Sequence, residues 1–131
     1  MWIGQHASPL APLDALYEAL RALSILAFLV YGTTCVATDR MVAEFERYGL
    51  PAWRRLTGSL EIVGALGLLV GVWWPPLGVA AAGGLTVLMA GGTWTRIRIR
   101  DSLLQTLPAA SLMLVNGYLC VWPVLERSGP S

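Results

Sequence analysis

The sequence predicts an all-α membrane protein, a four transmembrane helix antiparallel bundle with a short interfacial helix between spans one and two. Two observations carry this prediction. Hydrophobic residues make up 56% of the 131 positions and charged residues only 13%, which is too apolar for an ordinary soluble domain. Four apolar stretches, each near the ~20 residues that cross a bilayer core as a helix, occupy residues 13–37, 56–74, 77–94 and 103–122. The chain is short enough that residues 1–131 are expected to form a single domain.

The first span, residues 13–37, is longer than the apolar core of a signal peptide. Residues 1–12 carry no basic region and no small-residue cleavage site, so we expect this helix to be retained. Asp14 lies near its first turn, where a carboxylate suits the helix dipole. The proline-spaced segment before it is expected to lie at the membrane interface.

Residues 38–55 are too polar to cross a membrane but contain apolar residues at helical spacing. These residues are Met41, Val42, Phe45 and Tyr48. We expect a short helix that lies along the membrane surface. It should end at Gly49 and Pro51, because glycine suits a helix C-terminus and proline disfavours helical geometry in the residue before it.

Spans two and three are rich in small residues, as in the G-x-x-x-G of Gly67 and Gly71 and the run 80–84. Such faces let helix backbones approach closely in lipid. The connection at residues 73–76 is so short that the two spans should form a tight antiparallel hairpin. Asp101 and Ser102 are expected to begin span four as a helix cap.

All nine basic residues are arginine, and seven lie in the two connections that face the same side. The positive-inside rule places that side in the cytoplasm and both chain termini outside it. We expect the inner membrane of a bacterium. Arg98 and Arg100 are expected to bind anionic lipid headgroups, so membrane lipid is a predicted partner. Nucleic acid is not, since the basic residues are few and membrane-bound.

Charged side chains inside the spans are the candidate functional residues, because each costs at least ~2.5 kcal/mol near the bilayer centre. Glu18 and Arg21 lie three residues apart on one helical face and are expected to pair. Glu61 is the candidate catalytic residue, and Arg96 is its best-placed partner in depth. Arg21 lies roughly 12 Å from Glu61 along the membrane normal, so these two meet only if both side chains reach toward the midplane.

The polar residues of the spans are expected to form two layers. The outer layer holds Glu18, Arg21 and Asn116, and the inner layer holds Thr57, Glu61, Thr93 and Arg96. In one hypothesis they line a pocket that binds a quinone, a lipid or another amphiphile, with Glu61 accepting or relaying a proton. In the other they are interhelical hydrogen bonds that hold the bundle together. Both hypotheses stay open for Glu61, whereas the structural one is favoured for the asparagine and the threonines.

Other chemistries find no support in the sequence. His6 is the single histidine, so no cluster has metal-ligand spacing and haem ligation by paired histidines is excluded. Cys35 and Cys120 are expected at opposite membrane faces, too far apart for a disulfide. We therefore predict no metal and no cofactor of the protein's own, apart from a bound quinone or lipid.

The residues Phe-Glu-Arg-Tyr-Gly-Leu-Pro at 45–51 are followed by Leu-Thr-Gly-Ser-Leu-Glu-Ile-Val-Gly-Ala-Leu at 56–66. This pattern resembles the DoxX-like family of small four-span membrane proteins, and the similarity extends over roughly residues 21–119. The chain departs from the family at Arg96, where relatives often carry histidine, because arginine stays charged and cannot release a proton. The resemblance implies the four-span fold and a link to quinone-coupled thiosulfate oxidation or other membrane redox assemblies.

The leading functional hypothesis is an accessory or structural subunit of a membrane-embedded redox complex that holds quinone or lipid and has no activity on its own. Its partners would be other membrane-protein subunits or a second copy of the chain. The alternative is a quinone-reactive oxidoreductase subunit of the DoxX/DoxD type that uses Glu61 and Arg96, with Arg21, to bind and protonate the headgroup. A small transporter, which would require an oligomer, is the third hypothesis.

Overall fold

The computed structural model describes residues 11–128 of the chain; the expected interfacial N-terminal segment and His6 lie outside the described residues. Every regular element in this range is helical. The helices are α1 (Ala11–Ala37), α2 (Asp39–Tyr48), α3 (Arg54–Val70), α4 (Pro75–Arg98) and α5 (Leu103–Ser128), and a 3-10 turn at Pro51–Trp53 precedes α3. We call the end of the molecule that carries α2 and the α4–α5 turn the arginine-rich end.

Three helices in the described range are long and apolar enough to cross a membrane, namely Asp14–Ala37, Pro75–Arg98 and Leu103–Glu126. The helix α3 has 17 residues and ends at Val70, before the predicted end at residue 74. The residue before a proline is disfavoured in helical geometry, and Trp74 before Pro75 has an extended φ of -131°. The prolines thus begin α4, and residues 71–73 form the turn between the two helices.

The helix α2 ends where the sequence predicts. The Thr38 hydroxyl caps its start by accepting from the Met41 N–H at 3.4 Å. Gly49 ends it with a φ of 77°, in the left-handed region that glycine adopts without steric cost. The apolar side of α2 faces the protein, because Phe45 and Tyr48 are buried against Cys35 at the end of α1. Spacing alone could not distinguish a bilayer from a protein interior as the surface that this side covers.

The helices α1 and α3 pack backbone against backbone at two glycines. A Cβ atom added to Gly58 would lie 2.9 Å from the Gly32 carbonyl oxygen, and one added to Gly32 would lie 2.8 Å from the Gly58 oxygen. Small residues at such a crossing let the helices approach closely in lipid. This approach places the next turn of α3, which carries Glu61, directly against α1.

The core of the bundle combines apolar packing with one buried polar link. Phe28, Leu85 and Leu119 are almost completely buried. Ser24 of α1 donates to the amide oxygen of Asn116 at 2.9 Å, and the Asn116 nitrogen donates to the Leu112 carbonyl at 2.8 Å. Because these partners satisfy the buried amide, the link joins α1 to α5 without leaving an unpaired polar group.

Candidate ligand-binding site

A cavity of about 900 Å³ lies at the arginine-rich end, and all five α-helices contribute to its wall. Its volume is within the range of small-molecule binding sites. The apolar part of the wall includes Phe45, Met89 and Leu112. The polar part includes Glu61, Thr57 and Tyr48. A cavity with this lining suits a molecule that has an apolar body and a small polar group.

Glu61 is the charged residue that lies deepest in the wall of this cavity. Its side chain is 7% exposed, and it makes no hydrogen bond or ion pair with the described residues. A buried carboxylate without a partner is costly. This cost is relieved if the carboxyl is protonated or if a bound molecule supplies a hydrogen-bonding partner.

The expected pairing of Glu61 with Arg96 does not form. Arg96 instead donates to Asp101 at 3.0 Å. The local cause is the turn after α4, in which Arg100 has a positive φ of 58° and folds the chain back. This turn brings Asp101 to Arg96. Asp101, five residues along the chain, therefore takes the place of Glu61 on α3 as the partner of Arg96. A bridge between Arg21 and Glu61 is also absent among the described ion pairs.

Tyr48 is the second buried polar residue that lines the cavity. Its side chain is 7% exposed, and its hydroxyl has no hydrogen-bond partner among the described residues. Burial raises the pKa of the Tyr48 phenol above its ordinary value, so the hydroxyl remains a neutral donor. The guanidinium groups of Arg47 and Arg96 each lie 5.3 Å from the centroid of its ring. These two cations hold the ring in place through its π-face.

Asp101 forms ion pairs with both Arg47 and Arg96. It accepts from Arg47 at 3.1 and 3.2 Å and from Arg96 at 3.0 Å. The hydrogen bonds from Arg47 are the main cause that holds the pKa of Asp101 below its ordinary value. A further link is the hydrogen bond of 3.2 Å from Arg98 to the Tyr48 carbonyl. Together these bonds fasten α2 to the α4–α5 turn, so that α2 covers the arginine-rich end of the cavity.

Arg47 also pairs within α2 itself. It donates to Glu44, three residues earlier, at 2.9 and 3.0 Å. This hydrogen bonding lowers the pKa of Glu44, which also lines the cavity. Arg47 therefore stands between two carboxylates and is held in one position.

The inner of the two predicted polar layers forms in part. Three members of the inner layer, Thr57, Glu61 and Arg96, line the cavity. Thr93 is not part of the described cavity wall, and its hydroxyl is buried without a described partner.

The outer layer does not form as a unit. Glu18 and Arg21 pair as expected, at 3.2 Å. Asn116 bonds to Ser24 instead of joining them. The outer residues thus contribute an ion pair and a helix–helix link, and neither touches the cavity.

Sequence reasoning missed Tyr48 and the residues that position it. The spacing of Phe45 and Tyr48 did indicate an apolar helix face, but this face was assigned to the membrane surface. The partnership of Arg47 with Asp101 joins residues 54 positions apart, and no local pattern indicates it. Among the described residues, no three His, Cys, Asp or Glu side chains are grouped as metal ligands would be.

These features define a helical membrane protein with an amphiphile-sized cavity at one end of its helices. The family model for the DoxX-like family matches residues 19–118. The chain therefore belongs to the DoxX-like family. It is also 32% identical over 77 residues to the uncharacterized protein YdgD of Bacillus subtilis (strain 168), an alignment that covers 57% of this chain and 68% of the relative. No solved structure matches the chain significantly.

Proposed function

We propose that this DoxX-like protein is an accessory subunit of a membrane redox complex and holds a quinone in the cavity at its arginine-rich end. One observation supports this proposal above the others. Glu61 and Tyr48 are buried residues that line the same cavity of about 900 Å³, and neither the Glu61 carboxyl nor the Tyr48 hydroxyl has a hydrogen-bond partner among the described residues. Buried polar groups are normally hydrogen-bonded, so a ligand that pairs with both would satisfy the site.

A quinone has the chemistry that such a pair would recognise. Its carbonyl oxygens accept hydrogen bonds, and the neutral Tyr48 phenol supplies a donor. Glu61 donates to the other oxygen when it is protonated and accepts from a quinol hydroxyl when it is ionised. The apolar wall at Phe45, Met89 and Leu112 would cover the faces of the ring.

The proposal includes a four-span arrangement in which α3 also crosses the membrane. Its 17 residues extend over about 25 Å, a few ångströms less than the ~30 Å hydrocarbon core. The exposed Trp73 and Trp74 that follow it are suited to the membrane interface. In this arrangement the arginine-rich end faces the cytoplasm of a bacterium, α2 lies near the interface, and Arg98 and Arg100 contact lipid headgroups.

The test of the accessory role is native mass spectrometry of the protein extracted from its own membranes in mild detergent. The proposal expects oxidoreductase subunits in the same particle and one quinone for each copy of this chain. A lone monomer or homo-oligomer that carries only bulk lipid would reject the redox-subunit role.

The site itself is tested by two substitutions with matched controls. Glu61→Leu and Tyr48→Phe each remove the polar group of one cavity residue and should weaken quinone binding several-fold. Glu18→Leu and Tyr17→Phe make the same chemical changes at residues that pair elsewhere, with Arg21 and with the Leu119 carbonyl. The controls should bind quinone as the unmodified protein does. Equal binding by all four variants would show that the quinone lies elsewhere.

A second candidate function is a quinone-reactive oxidoreductase subunit, and the partnerless carboxyl of Glu61 favours it. In this version a partner subunit delivers two electrons to the quinone, and Glu61 passes to it the two protons that complete the quinol, one after the other, regaining each proton from water. Glu61→Gln would then abolish quinone-linked turnover in the assembled complex without preventing quinone from binding. Turnover that persists in this variant would leave only the accessory role.

A further inference from the structure

The seam between α1 and α5 is closed along one half of its length. Near the chain termini, the Tyr17 hydroxyl donates to the Leu119 carbonyl at 3.1 Å, and the Tyr17 and Tyr118 rings lie 5.8 Å apart. Farther along, Ser24 donates to Asn116 at 2.9 Å. These contacts leave no passage between the two helices from the termini to the middle of the bundle.

The other half of the same seam is open. Tyr31 follows Ser24 by seven residues and Ala109 precedes Asn116 by seven, so in antiparallel helices both lie about 10 Å beyond the Ser24–Asn116 bond. Both residues line the cavity. Tyr31 is nevertheless 44% exposed, and the cavity residues Gln105 and Pro108 of α5 are exposed as well. The cavity therefore reaches the outer surface of the helices between α1 and α5.

Access from the arginine-rich end is narrowed by α2. Its buried residues Phe45 and Tyr48 cover that end of the cavity, and the bonds from Arg47 to Asp101 fasten the helix there. The cavity residues Arg40 and Trp53 beside this helix are also exposed, so a second opening lies there. An apolar tail is solvated by the bilayer and not by water, so it would leave through the seam between α1 and α5.

We infer that the seam between the inner parts of α1 and α5, at Tyr31, Gln105 and Pro108, is a lateral portal for a tailed amphiphile from the adjacent membrane leaflet. The polar head lies against Glu61 and Tyr48, and the apolar tail passes between Tyr31 and Pro108 into the bilayer. This inference rests on the proposed function for the head site. It adds that the ligand is dissolved in the membrane and has an apolar tail, and that this tail leaves the protein between α1 and α5.

The portal is tested with the full chain in lipid nanodiscs and a benzoquinone that carries a ten-carbon tail. A photoreactive benzoylphenylalanine is introduced in place of Tyr31 or Gln105, which line the cavity. The matched controls carry it in place of Val30 or Leu104, the preceding residues, which are exposed and do not line the cavity. Mass spectrometry measures both the bound quinone and the covalent adduct.

The inference expects strong adducts from positions 31 and 105, several-fold weaker ones from 30 and 104, and a several-fold loss of the strong adducts when Glu61→Leu is added. Equal adducts at all four positions, or none at 31 and 105 while quinone remains bound, would overturn the portal and leave the head site intact. If the unmodified protein binds no tailed quinone, the portal and the proposed function both fail. Stronger adducts from benzoylphenylalanine in place of Arg40, a cavity residue of α2, than from position 31 would show access from the aqueous end and would also overturn the portal.

Discussion

Arg47 of α2 donates two hydrogen bonds to the carboxylate of Asp101 in the α4–α5 turn, at 3.1 and 3.2 Å. The Asp101 side chain is only 6% exposed whereas the Arg47 side chain is 39% exposed, so the pair is open to water on the side of the arginine. It joins the short helix over the cavity to the far end of the bundle. The position of Tyr48 depends on it, because the two arginines that flank the Tyr48 ring are both held by Asp101.

Asp101→Asn should loosen α2, because a neutral amide cannot compensate the charges of Arg47 and Arg96. We expect a lower midpoint of thermal unfolding in detergent and faster proteolysis within residues 38–53. The control is Asp39→Asn, at an exposed residue of the first turn of α2, which should change both measurements less. If Asp101→Asn and Asp39→Asn behave alike, Asp101 does not hold α2 in place.

Lowering the pH should weaken the ion pairs of Arg47 with Asp101 and Glu44. The hydrogen bonds from Arg47 lower the folded-state pKa values of Asp101 and Glu44 below their ordinary values. A carboxyl whose pKa is lowered by folding stabilises the folded state fully at any pH above its pKa in the unfolded chain, which is about 3.9 for Asp and about 4.3 for Glu. This contribution is lost as the pH falls through the pKa of the folded state. The difference in unfolding midpoint between the unmodified protein and Asp101→Asn should therefore be largest near neutral pH and shrink below about pH 4. A difference that grows in acid would contradict this assignment.

Gly58→Ala should destabilise the crossing of α1 and α3. The added Cβ would lie 2.9 Å from the Gly32 carbonyl oxygen, which belongs to the backbone and cannot move aside cheaply. Overpacking of this kind costs roughly 1–3 kcal/mol. The control is Gly84→Ala, where no heavy atom lies within 4 Å of the new Cβ and where alanine gains up to about 1 kcal/mol of helix propensity. Chemical denaturation of both variants in mixed micelles measures the difference, and equal stabilities would contradict the close approach.

Ser24→Ala should weaken the link between α1 and α5 by removing the donor to Asn116. Interhelical hydrogen bonds in membrane proteins average about 0.6 kcal/mol, with a maximum near 1.7 kcal/mol, and the complete burial of both residues places this bond toward the upper end. Ser111→Ala, at an exposed serine of α5, is the matched control and should be nearly neutral. A double-mutant cycle with Asn116→Ala isolates the pairwise energy. A coupling energy near zero would show that the bond does not contribute.

Helix placement could be predicted from the sequence, because it depends on local pattern. Long apolar stretches locate α1, α4 and α5, and glycine and proline locate the C-terminal end of α2. The pairing of Glu18 with Arg21 was predictable for the same reason, since three residues fix two side chains on one helical face. Glu61 was recognised as a candidate because a carboxyl within an apolar helix is costly wherever that helix packs.

The existence of the cavity could not be predicted from the sequence, because it depends on the tertiary structure. Whether α2 turns its apolar side to lipid or to protein depends on what the ends of α1 and α4 leave uncovered, and residue spacing contains no information about that surface. The partner of Arg96 was decided in the same way, because the turn at Arg100 brings Asp101 nearer than Glu61. Local sequence thus determined which residues are helical and which charges need a partner. Only the packing of the helices decided which charged side chains meet, and the same packing made Glu61 and Tyr48 part of the wall of one cavity. The physical reason is that contacts between distant segments depend on the geometry of the whole bundle, which no local pattern specifies.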